Sequence, residues 1–141
     1  MMQDMRTLAV VTLLTIAGIT PAHSTGLSEG LSPLEQAQAF ATCAGRLQAL
    51  ATRQSAVRDP RSSTTRALQG DFEMLLEATL PFALDAGTDP GEARRWQASG
   101  WVEIASLLSR AQYTPDELRA AHAEAAMAAR IVTCRRMIMR G

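Results

Sequence analysis

The chain has no lysine and no asparagine, only two cysteines and two histidines, and aromatic residues fill just 4% of its 141 positions. The missing lysine and asparagine say more about a GC-rich genome that avoids AAA and AAC codons than about a protein. Its basic residues are all Arg, and 14 of them balance 14 acidic residues for a formal charge of zero. That balance removes the basic footprint of a nucleic-acid binder and the acidic tail that seeks a basic partner. Covalent c-type haem needs Cys-x-x-Cys-His, which does not occur. Di-iron bundles need Glu-x-x-His pairs, which do not occur either. With aromatics scarce, Val and Ile sparse beyond residue 24 and Ala abundant, the composition favours helices over sheets.

What is present begins with an export signal. Thr7 to Thr20 is an uncharged apolar run of roughly 14 residues, long enough for a signal-peptide h-region and too short for a membrane-spanning helix of about 20. Arg6 precedes it, and Pro21-Ala22-His23-Ser24 offers small residues where signal peptidase reads, which predicts cleavage after Ser24. Asp4 is out of place before an h-region, and initiation at Met5 gives a more conventional opening. An uncleaved N-terminal anchor is the competing reading. No cysteine follows closely enough to be lipidated. Residues 1–24 are thus expected to be a cleaved signal peptide and 25–141 a single helical domain of about 117 residues, with room for one core and no transmembrane segment.

Helix starts are legible. Ser32-Pro33-Leu34-Glu35 and Thr114-Pro115-Asp116-Glu117 are capping boxes with Pro at the first helical position, and Asp89-Pro90-Gly91-Glu92 follows the same pattern. Asp59-Pro60 ends the first helix, and a further one rises from the polar stretch Arg61 to Thr65. The expected helices are 33–58, 64–86, 90–112 and 115–139. Apolar spacing agrees: Phe40, Cys43, Leu47 and Leu50 form one stripe, and Met127, Ile131, Cys134 and Ile138 another. The second helix offers Leu68, Phe72, Leu75, Leu76 and Leu80, then Pro81, which should kink or break it. The third offers Trp96, Trp101, Ile104, Ala105 and Leu108. Short loops predict an all-α, up-down-up-down four-helix bundle.

Cys43 and Cys134 then fall on the inner faces of the first and last helices. In an oxidising compartment they are expected to form one disulfide joining those helices. Cys43 lies about 15 Å inside its helix start and Cys134 about 8 Å before its helix end, a mismatch that helix offset absorbs. Two buried free thiols, or a redox-active or metal-bound pair, are the alternatives.

Other chemistry is thin. His122 is the one histidine beyond the signal and would have to serve any Ser-His-acid or Cys-His arrangement, but a lone His near a helix start is ordinarily a partly exposed polar residue. A b-type haem would need His122 opposite a methionine such as Met74. Cys134, Met137 and Met139 spell Cys-x-x-Met-x-Met, a soft-ligand pattern for Cu(I), but the three do not share a helix face. Glu73 and Glu77 read as an exposed like-charged pair, without the cleft that would raise one pKa for acid-base work. Charge is segregated, acidic from Asp71 to Glu92 and basic at the chain end, where Arg130, Arg135, Arg136 and Arg140 are the candidate partner-binding residues. The ordinary explanation is that these arginines complement a helix C-terminus.

The stretches Leu34 to Leu47 (LEQAQAFATCAGRL) and Asp71 to Pro81 (DFEMLLEATLP) resemble small exported helical proteins of unknown function from Rhodobacter-like alphaproteobacteria. The likeness covers most of the mature chain and implies no catalytic or binding residue. The expected protein is a non-enzymatic, periplasmic or secreted module, with no catalytic residue, metal or cofactor assigned, that binds a protein or envelope partner. The alternative is a small haem or copper carrier of the four-helix-bundle type.

Overall fold

Ser32 opens the first helix as its neighbours require. Its Oγ accepts from the Glu35 backbone N–H at 3.2 Å while the Glu35 carboxylate accepts from the Ser32 N–H at 2.7 Å, the reciprocal exchange of a capping box. The structure, a computed structural model, describes residues 30–139, so the expected signal segment and Arg140 lie outside the described residues. Four α-helices make up the fold, α1 (Pro33–Ala56), α2 (Ser62–Asp85), α3 (Glu92–Tyr113) and α4 (Glu117–Met139), and no strand occurs among the described residues.

The two Asp-Pro pairs start α2 and α3 with the same local geometry. Asp59 Oδ1 accepts from the Arg61 N–H at 2.9 Å and Asp89 Oδ1 from the Gly91 N–H at 2.7 Å. Their carbonyls accept from the Ser62 and Glu92 N–H groups, both at 3.0 Å. Each Asp thereby satisfies donors that a helix start leaves orphaned. Glu92 does not reach back as a capping-box residue does, because Arg95 holds its carboxylate at 2.6 Å. At α4 the expected cap also changes. Thr114 is the C-cap of α3, and Asp116 caps α4 instead, its Oδ1 accepting from the Leu118 and Arg119 N–H groups at 3.0 and 3.2 Å. A carboxylate is the better acceptor at the positive end of a helix dipole.

The ends of α1 and α2 also match. In both, the residue after the C-cap is left-handed, Arg58 at φ 55° and Gly87 at φ 98°. Asp59 N–H donates to Gln54 O and Arg58 N–H to Ser55 O, as Thr88 does to Ala83 O and Gly87 to Leu84 O. These are two Schellman motifs, one with the glycine that suits it and one with an arginine.

α1 is the axis of the packing. α2 and α3 both lie against it, α4 lies against α3, and α1 meets α4 over a small area. Ala37 and Ala83 share one cluster near one end of the α1–α2 pair, and Arg66 donates to Ser55 Oγ at 2.9 Å near the other. The α1–α3 contact is close because it is built on glycine: a Cβ on Gly45 would overlap the Gln97 carbonyl, and one on Gly100 the Thr42 carbonyl. Ala37, Ala41 and Ala44 keep the same helix slim where its neighbours approach. The main core gathers Cys43, Leu47, Phe72, Ile104, Ile131 and Cys134, with Phe40 and Phe72 ring centroids 6.1 Å apart.

Trp101, expected in this core, is 41% exposed. Gly100 occupies the helix-facing position where α3 meets α1, and one residue on, about 100° around the helix, the indole is turned aside. α2 is not broken at Pro81 and runs on to Asp85. The Cys43–Cys134 disulfide joins α1 to α4 across 91 residues with the Cα atoms 5.6 Å apart. In the chain-entropy account, closing such a loop contributes about 4–5 kcal/mol.

Candidate ligand groove

Because α1 and α4 meet over so small an area, a groove is left between them toward the C-terminal end of α1. On α1 it is lined by Leu50, Arg53, Gln54 and Val57, an i, i+3, i+4, i+7 face. α4 supplies Met127, Ala128, Ile131, Val132 and Arg135, and α3 adds Leu108. The α1–α2 turn and the start of α2 form one wall with Asp59, Arg61, Thr64 and Thr65. The cavity measures about 400 Å³, within the size range of small-molecule sites.

Most of its surface is apolar, and among its polar residues Gln54 stands out. Gln54 is 7% exposed, and its Oε1 is buried with no hydrogen-bond partner. An unpartnered buried carbonyl oxygen costs free energy that a ligand donor can recover. On the rim, Arg61 is held by Asp59 at 2.6 Å. The Asp59 carboxyl lies below its ordinary range because of the hydrogen bonds from the Arg61 side chain and backbone. Arg53 and Arg135, both in the lining, make no ion pair among the described residues.

Beside the disulfide is a second polar group. The Glu103 carboxylate accepts from Arg46 Nε at 2.8 Å and from Arg130 Nε, while Arg46 Nη1 lies 3.9 Å from Cys134 Sγ. Burial pushes the Glu103 carboxyl upward, but the hydrogen bonds and charges of Arg46 and Arg130 outweigh it, and the net shift is downward. This triad ties α1, α3 and α4 together.

The expected arginine cluster is therefore divided. Arg130 serves Glu103, Arg135 lines the groove and Arg136 is exposed elsewhere on α4. His122 is exposed and borders a separate surface hollow with Arg110 and Arg119. Met74 is 62% exposed on α2, and α2 makes no substantial contact with α4, so the His122 and Met74 pair is not assembled. Cys134 is bonded to Cys43 and so has no thiolate to offer with Met137 and Met139. Glu73 and Glu77 are exposed, Glu73 accepting from Gln69 Nε2 at 2.8 Å. Among the described residues no helix is long and apolar enough to cross a membrane, and no group of three or more His, Cys, Asp or Glu could hold a metal ion.

Sequence reasoning passed over Gln54, although a signal was there. The stripe Phe40, Cys43, Leu47, Leu50 continues at the same spacing through 54 and 57, and Gln54 is the polar residue that interrupts it. Compared with known protein families, curated proteins and solved structures, the chain matches none of them.

Proposed function

We propose that the protein is a non-enzymatic binding module of the periplasm or secreted space that takes an envelope partner at the groove between α1 and α4. The observation that carries this reading is an open apolar groove whose free rim charges, Arg53 and Arg135, are of one sign. Arg136, exposed on α4, extends the basic character beyond the groove. A disulfide on the inner faces of two helices suits an oxidising compartment. The architecture in this reading is an up-down-up-down bundle with α2 bent at Pro81. Supporting it are the Ser55–Arg66 and Glu103–Arg130 pairs and the backbone donor that the proline ring removes.

The test is photo-crosslinking in cells that export the native chain. A photoreactive residue at Val132 should give a discrete adduct in the periplasmic or secreted fraction, and one at Glu73, exposed on α2 and outside the groove lining, should not. Equal yields from both positions, or no adduct from Val132, would sink the reading.

A further inference from the structure

The geometry points to a specific occupant for the groove: a single-chain anionic lipid that carries a free hydroxyl next to its headgroup, such as a lysophospholipid. This deepens the binding reading above and rests on it. Three features choose the chemistry. Leu50 and Val57 on α1, Leu108 on α3 and Met127, Ala128, Ile131 and Val132 on α4 give the wall an apolar surface, which suits a hydrocarbon chain. Gln54 lines the groove and its Oε1 is buried without a partner, an acceptor suited to a ligand O–H. Arg53 and Arg135, with no acidic partner, attract a phosphate at the mouth.

A peptide fits less well. An extended segment brings an N–H and a C=O with every residue, about every 3.3 Å, and each must find a partner when buried. The wall has one unpartnered buried polar atom, Gln54 Oε1. An acyl chain makes no such demand, and the hydroxyl beside the headgroup meets the unpartnered Gln54 oxygen. A diacyl lipid would have to fit a second chain into the same cavity of about 400 Å³.

The experiment uses the exported mature protein, purified without detergent, and titrates it with lysophosphatidylglycerol below its micellar concentration. Three comparison ligands are the fatty acid of equal chain length, the neutral monoacylglycerol and glycerol phosphate. Saturable one-to-one binding is expected for the lysophospholipid, about tenfold weaker binding for the fatty acid, which lacks the hydroxyl, and none for glycerol phosphate. Gln54→Leu should remove the preference for lysophospholipid over fatty acid while leaving the fold intact by circular dichroism. Arg135→Gln should weaken both anionic ligands severalfold and lower their salt sensitivity, with monoacylglycerol unaffected. Binding indifferent to both substitutions, or partition without saturation, overturns the assignment. A Val132 adduct to a polypeptide would overturn the lipid while preserving the binding module, and no adduct from Val132 would end both.

Discussion

Gly100→Ala tests the packing that organises this fold. On α3 the added methyl carbon would overlap the Thr42 carbonyl oxygen and stand 3.0 Å from the Thr42 carbonyl carbon and 3.2 Å from the Arg46 backbone nitrogen. All three are backbone atoms of α1 that cannot rotate away. Overpacking costs about 1–3 kcal/mol where side chains can yield, so a contact between two helix backbones belongs at the upper end. Replacing a mid-helix glycine by alanine returns about 1 kcal/mol of helix propensity, which leaves a net loss of about 2 kcal/mol. Gly70 provides the internal control: it lies within α2, and nothing stands within 4 Å of its added Cβ. Gly70→Ala should therefore gain about 0.5–1 kcal/mol. Urea unfolding followed by circular dichroism resolves both changes, whose opposite signs cannot come from propensity alone. If the two variants shift in the same direction, α1 and α3 are not in backbone contact and the reasoning fails.

Three further outcomes follow from the same geometry. Arg58 is left-handed in the motif that Gly87 completes at the end of α2, so Arg58→Gly should add about 1 kcal/mol, some 4 °C in Tm, and Gly87→Ala should lose a similar amount; calorimetry showing no gain for Arg58→Gly would count against the strained arginine. The Glu103 carboxyl is shifted down because Arg46 and Arg130 outweigh its burial, so its stabilisation is full above the ordinary glutamate range and is lost as pH falls through the lower folded-state value. Glu103→Gln should lower stability at neutral pH and flatten the acid limb of the stability profile, and an unchanged limb would refute the role. Double replacement of Cys43 and Cys134 by Ala should cost about 4–5 kcal/mol, and peptide mapping of the non-reduced protein should recover the two cysteine peptides joined.

The parts of the fold that were legible are those written in short-range chemistry. The Ser32 capping box, the Asp-Pro helix starts and the inward stripes that carry Cys43 and Cys134 depend on residues a few positions apart, and the helices end within about two residues of where those signals put them. Neighbour choice depends on what two surfaces do when brought together. Short loops suggest that sequential helices pack in turn, yet α3 lies on α1, because Gly45 and Gly100 let two backbones approach more closely than side chains elsewhere permit. Trp101 reads as core by its spacing and is 41% exposed because the glycine beside it holds the contact face. The groove was hidden for the same reason. Its residues belong to all four helices and to the turn after α1, and only Gln54 marked it locally, as a polar residue in an apolar stripe.

The disulfide and the groove are linked by the small area shared by α1 and α4. Two helices that present apolar faces to each other ordinarily close the gap, since each buried methylene contributes about 0.8 kcal/mol. Here α4 is positioned by α3, by the Glu103 bridge to Arg130 and by the bond from Cys134 to Cys43. α1 is held by its glycine contact with α3. With both helices held by other partners, the faces around Val57 and Val132 need not close on each other. The cysteines supply no reactive thiol, and their bond fixes one end of a cleft that packing alone would tend to shut. The covalent and ionic ties thus hold open a cleft that has the unpartnered Gln54 amide oxygen in its wall.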